Sequence, residues 1–248
     1  MNTDVALVSV IHVSNETGFI NDIKKLSDYA KSINPKVVFH SDGVQAFGKI
    51  NFSLNNLGVD LYTVSGHKVY APRGIAGLWI KNNLFVDPLI VGGGQEFNLR
   101  SSTENVFGAL AFANSAKLAI ENHELKSAKI NQIRQNIINK LINSEIGCVF
   151  GVNDCDNQSP YILSIFFKGI KGEVLIHSLE DDGILVSTGS ACSSKKAGNR
   201  TLDAMGRKLD EVVGSIRISF SPYEEIDEDY IVNSIIKNVS RFLKNLKK

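Results

Sequence analysis

Apolar runs that each lead into polar chemistry recur through the first part of the chain. Val5-Ala6-Leu7-Val8-Ser9-Val10-Ile11 precedes Asn15, Val37-Val38-Phe39-His40 precedes Asp42, and Asp60-Leu61-Tyr62-Thr63-Val64 precedes Ser65-Gly66-His67-Lys68. The first run is apolar enough for a strand buried on both faces. Between the first two, Asn21 and Asp22 can cap a helix whose apolar residues Ile23, Leu26, Tyr29 and Ala30 fall at helical spacing. Asn34-Pro35 stops that helix, because the residue before a proline is pushed out of helical geometry. The alternation predicts an α/β layer of parallel strands at residues 5–12, 37–40 and 60–64, with a further short strand at 75–80. Ligands of such sheets gather beyond the carboxyl ends of the strands. Asn15, Asp42 and Ser65 to Lys68 therefore point to one crevice.

The rest of the chain continues in the same style. Gly92-Gly93-Gly94 has no helix cue of the phosphate-loop kind after it and reads as a loop. From Glu104 to about Asn143 the pattern is mostly helical, with a bend at Asn122 and His123. A second unit follows: a strand at Tyr161 to Phe167, a helix through Val174, Leu175, His177 and Leu179, and strands at 184–186 and 215–219. A last helix opens on Asp227, Glu228 and Asp229 and closes on Lys244, Lys247 and Lys248, signs that suit the helix dipole and a solvated face. The expected division is residues 1–118 and 119–248.

Composition narrows the function. With 27 basic and 26 acidic side chains the net charge is +1, which predicts neither direct nucleic-acid binding nor attraction to an anionic membrane. No apolar run approaches the roughly 20 residues needed to span a bilayer. Cys148, Cys155 and Cys192 are an odd set without metal-type spacing, which fits a reducing cytoplasm. Cys148 reads as core and Cys155 as a loop thiol, while His123 and His177 read as structural or surface residues.

Lys68 is the sharpest chemical candidate. A lysine at the end of a buried strand is poorly solvated, which favours the neutral amine that attacks carbonyls. The plainer reading is a solvated edge lysine. Asp42 supplies what a pyridine cofactor needs to act as an electron sink, a carboxylate for its protonated ring nitrogen. At this point the chain resembles the class V aminotransferase group of fold type I pyridoxal-phosphate enzymes, and within it the cysteine desulfurases. The resemblance rests on His12 to Gly18, His40 to Gln45, Ser65 to Lys68, Arg100 to Asn105, Ser187 to Ser194 and Ile216 to Ser219, in the family's order. The chain departs from the family's pattern at Ser14, Ser41 and Ser102.

The resemblance implies the later part of a fold type I large domain, a mostly parallel sheet with helices, plus a smaller C-terminal α/β domain. It also implies that a leading portion, with a phosphate-binding turn and a ring stacked on the cofactor, precedes the family's equivalent of Met1. It carries Lys68 over as the Schiff base to pyridoxal 5'-phosphate, Asp42 to the pyridine nitrogen, Gln45 to the ring hydroxyl, and Ser65 and His67 to the phosphate. Asn15 is carried over to the cofactor hydroxyl or the substrate carboxylate, and Arg217 to that carboxylate, whose geometry a guanidinium matches. Without the family, Arg217 also reads as the open face of an edge strand. Thr103 matches a position that reaches the phosphate of a neighbouring subunit, which implies a homodimer.

Cys192 lies among small residues, Thr188-Gly189-Ser190-Ala191-Cys192-Ser193-Ser194, beside Lys195 and Lys196, which favour a thiolate. The implied reaction removes sulfur from L-cysteine, leaving L-alanine and a persulfide on Cys192. A sulfur-acceptor protein, an iron–sulfur scaffold or a tRNA-thiolation protein, then takes the sulfur. Two alternatives stand beside it: a fragment that is inactive or works only with a separate leading chain, and a selenocysteine lyase-like enzyme.

Overall fold

The computed structural model describes residues 1–144, 146–150, 157–188 and 200–246. It divides into two compact units, Met1–Val13 with Asn21–His123, and Ser14–Ile20 with Glu124–Lys248. The short segment Ser14–Ile20 thus folds with the second unit, although it lies far from that unit in sequence.

The first unit is built on a four-stranded sheet in the order β1 (Leu7–Ile11), β2 (Val38–Asp42), β3 (Leu61–Ser65), β4 (Ala76–Ile80). The first three strands are parallel and β4 runs antiparallel to β3. Helix α1 (Ile23–Ile33) starts at Asp22, whose side chain accepts the Lys25 N–H, and ends at Asn34. It presents Ile23, Ser27 and Ala30 to a core of Val37, Phe39, Val59 and Tyr62. A short helix α2 (Leu54–Leu57) offers the Leu57 carbonyl to the Ser27 hydroxyl at 2.8 Å. Asp60 ties the unit together by accepting from the Phe39 N–H at 2.9 Å and from Lys31 and Lys81.

Two expectations change here. β1 is an edge strand rather than one buried on both faces: Val8 and Val10 pack on the core while Leu7 is 57% exposed. β2 runs past His40 to Asp42. The imidazole that seemed to end it is satisfied inside the sheet, with Nδ1 2.8 Å from Ser9 Oγ on β1 and Nε2 2.7 Å from Thr63 Oγ1 on β3. A polar row of this kind costs nothing when every member is paired.

Helices α3 (Val106–Ile120) and α4 (His123–Asn143) replace the long helical stretch, and the chain turns between them at Asn122 with φ 53°. The second unit holds an antiparallel sheet in the order β5 (Cys148–Phe150), β6 (Ile162–Phe167), β7 (Ser215–Ser219). All six residues of β6 are buried, and Leu163, Ile165 and Phe167 share a core with α4, α5 (Gly172–Asp181) and α8 (Glu228–Leu246). Short helices α6 (Arg200–Ala204) and α7 (Leu209–Val213) precede β7. The expected strand at 184–186 does not form; the chain pairs there only at Ser187, which bridges to Arg217. Among the described residues no helix is long and apolar enough to cross a membrane.

Candidate functional site

The register of the parallel strands sets the candidate site of the first unit. Ile11 pairs with Asp42 and Asp42 with Thr63, so β1 and β2 end together and β3 runs two residues further, to Ser65. Asp42 closes β2, and its Oδ1 accepts the Val44 N–H at 2.9 Å; Oδ2 has no partner among the described residues. Gln45 lies in the turns that follow, where its Oε1 accepts from Lys49 Nζ at 2.9 Å.

β3 ends at Ser65 and passes directly into a one-turn 3-10 helix, Gly66–Val69, which carries His67 and Lys68. The turn is pinned to the start of β4 by the Gly66 N–H donating to the Ile75 carbonyl at 3.0 Å. A side chain at Gly66 would meet Ile75 Cγ2 at 2.8 Å, so the close approach needs glycine. Lys68 is half-buried and forms no hydrogen bond or ion pair among the described residues. Ser65 Oγ lies 2.8 Å from His67 Nδ1. Partial desolvation first, and then the charges of Lys68, Arg73 and Lys49, hold the His67 imidazole below its ordinary pKa. Three cations thus act on one imidazole with no carboxylate among the causes, a field suited to a bound anion. Thr103 is exposed, just ahead of the Asn105 cap of α3.

Arg217 and Asn15 meet in the second unit. Arg217 sits on β7 opposite Ser164, and its Nη1 donates to the Asn15 carbonyl at 2.7 Å. The segment carrying Asn15 is held by the Ile20 N–H on Asn157 and the Ser159 N–H on Gly18, both at 2.8 Å. Arg217 Nε is buried without a hydrogen-bond partner among the described residues, as is Glu16 Oε2. Burial lowers the Arg217 pKa, and the negative charge of Glu16 opposes that shift. An arginine so placed has donors free for a carboxylate. Its half-buried setting differs from the open edge-strand face that the sequence also allowed.

Cys192 lies outside the described residues, as does Cys155. Cys148 is partly buried on β5, and burial pushes its thiol pKa up. The cations Lys49 and Arg73 were not singled out from sequence. Lys49 follows Gln45 by four residues, a spacing that signals a side-chain pair, whereas Arg73 reaches His67 only through the fold.

Known proteins resemble this chain over nearly its whole length. The Aminotransferase class-V family profile matches residues 1–229. Cysteine desulfurase IscS of Clostridium botulinum is 35% identical over 242 residues, covering 96% of this chain and 60% of that protein. A solved NifS-like protein superposes with a TM-score of 0.86 at 32% identity, over 98% of this chain and 62% of its own. A structure titled SspA in complex with cysteine superposes with a TM-score of 0.69 at 27% identity, over 91% and 61%. The chain spans about 60% of the length of the curated relatives it matches. With a mixed sheet dominated by parallel strands in its first unit, as in the NifS-like fold, and a family profile that runs through both units, the chain belongs to the class V aminotransferases.

Proposed function

We propose that this chain acts in pyridoxal-phosphate-dependent cysteine desulfuration, taking sulfur from L-cysteine to give L-alanine and a persulfide on Cys192. The observation that carries the reading is Lys68, a half-buried amine without an ionic partner among the described residues, following β3 at the sheet end where Asp42 closes β2. The names of the relatives and the cysteine-bound structure support the substrate.

The residues suit the cofactor by chemistry. When bound, pyridoxal phosphate supplies an aldehyde that captures amines and a ring that stores an electron pair. Lys68 would hold the aldehyde carbon, Asp42 the pyridine nitrogen and Gln45 the ring hydroxyl. Ser65 and His67 would hold the phosphate, in the field of Lys49, Lys68 and Arg73. With Ser65 donating to Nδ1, a neutral His67 keeps its hydrogen on Nε2 and donates it outward.

In turnover, Arg217 and Asn15 orient the substrate carboxylate, and Lys68 moves the proton from Cα. The Cys192 thiolate attacks the substrate sulfur. As the S–S bond forms, the Cβ–S bond breaks, and the electron pair left on carbon takes up a proton to give alanine. A protein acceptor, an iron–sulfur scaffold or tRNA-thiolation protein, then receives the persulfide sulfur. The working unit is a cytoplasmic homodimer in which Thr103 reaches the phosphate held by the second copy.

Visible absorbance tests this reading. Protein mixed with pyridoxal phosphate should develop a band above about 400 nm that borohydride bleaches, as expected for a lysine-bound, ring-conjugated cofactor. Lys68→Ala should lack it. A folded wild-type protein with no such band, or a band of equal strength in Lys68→Ala, overturns the proposal.

A further inference from the structure

We infer that His12 and Tyr62 are positioning residues for Asp42, joined in a buried bracket that fixes the turn from which its carboxylate projects. This deepens the reading above, since it rests on Asp42 as the partner of a cofactor nitrogen. Neither residue has a role in the chemistry already proposed. His12 is the first residue beyond β1 and is 4% exposed; Tyr62, on β3, is 1% exposed.

The bracket grips Asp42 through its backbone. The His12 N–H donates to the Asp42 carbonyl at 2.8 Å, and the next N–H along, that of Gly43, donates to the Thr63 carbonyl at 2.9 Å. These two bonds hold the end of β2 to both neighbouring strands. The side chains then lock the neighbours to each other, with His12 Nδ1 2.7 Å from the Tyr62 hydroxyl. The Tyr62 ring lies directly on Gly43, where a Cβ would fall 2.0 Å from Cε1 and 2.3 Å from the hydroxyl oxygen. The Phe52 ring closes the remaining side, 5.0 Å from His12 and 5.3 Å from Tyr62. Within this frame the Val44 N–H reaches Asp42 Oδ1.

The bracket is also neutral. Burial pushes the His12 imidazole down to about 4 and raises the Tyr62 phenol, with the Asp42 charge adding to the rise. Two uncharged groups satisfy each other, so they bring no competing charge to the carboxylate they steady. A cationic residue at either position would compete for Asp42 with a bound cation and repel it.

Amide hydrogen exchange on the isotopically labelled full chain separates this role from simple packing. Tyr62→Phe removes the hydroxyl and keeps the ring on Gly43. It should lower protection of the Gly43 and Val44 amides about tenfold more than that of Phe39, which lies within β2 and is tied to Asp60. His12→Asn should do the same. Phe52→Leu, which loosens the packing and keeps the hydrogen bond, should lower all three together. Uniform loss in Tyr62→Phe, or the same local loss in Phe52→Leu, overturns the inference. The result needs no cofactor. Variants that give this exchange pattern, alongside wild-type protein that forms no borohydride-sensitive band, would remove the assigned chemistry and leave the bracket standing.

Discussion

A methyl group added at Gly43 would fall 2.0 Å from a ring carbon of Tyr62, and that ring is held by the His12 hydrogen bond and by Phe52. Gly43→Ala should therefore destabilise the first unit by roughly 1–3 kcal/mol, the usual cost of overpacking a buried site. Trp79, the single tryptophan, pairs with Tyr62 across the sheet, so its fluorescence follows this unit in a urea titration. A midpoint equal to wild type would show that the turn relaxes. The placement of Asp42, Gln45, Ser65, His67 and Lys68 at or just past strand ends was legible in sequence because they end apolar runs or follow them closely. The roles of Arg73 and Tyr62 were not. Arg73 acts on His67 through its charge and Tyr62 on His12 through a hydrogen bond, both set by the fold.

Elements were legible where periodicity and a stop signal agreed. α1 begins at Asp22 and ends at Asn34, ahead of Pro35, and the bend between α3 and α4 falls at Asn122. The misses have physical causes. β5 is only three residues long, too short for an alternation to show, and Ile184, Leu185 and Val186 form an apolar run that packs without pairing. Leu185 faces solvent, while Ile184 and Val186 lie against the second core. What fixes this segment's start is polar. Asp182, just past α5, accepts from Ser234, from Lys237 at 2.9 Å and from Asn238 at 2.8 Å on α8. These bonds, Ser234 first, lower its carboxyl pKa to about 2. A depressed carboxylate stabilises the fold above its unfolded pKa of roughly 3.9, and that contribution fades as pH falls through the folded value. Asp182→Asn should therefore unfold at lower urea than wild type at pH 6. The gap should shrink between pH 4 and pH 2, followed by far-UV circular dichroism. A gap that stays constant through that range would mean the charge of Asp182 plays no part.

Large apolar side chains that face solvent recur along one stretch of the first unit's sequence, residues 85–110. Leu89, Phe97 and Phe107 are 95%, 93% and 89% exposed, with Phe85, Val91 and Leu110 also open. Exposure on this scale marks a surface that another surface covers. Around Phe97 the backbone adds a second sign. Glu96, Phe97 and Asn98 all have positive φ, at 48°, 55° and 64°, a conformation that costs L-residues roughly 1 kcal/mol each. Burial of an aromatic ring offsets such a cost, and solvent exposure does not. Thr103 lies within the same stretch, at the position proposed to serve the second copy's phosphate. A surface that carries both the apolar side chains and a residue meant for the other subunit is best matched by another copy of this chain. Sedimentation velocity should accordingly show a dimer at micromolar concentration. Phe97→Glu with Phe107→Glu should weaken association by about a hundredfold, the loss expected when two aromatic anchors are replaced by charges. The far-UV spectrum should not change, because both rings already lie in solvent. Wild-type protein that sediments as a monomer at tens of micromolar, or a double variant that dimerises as wild type does, would rule this surface out as the dimer contact.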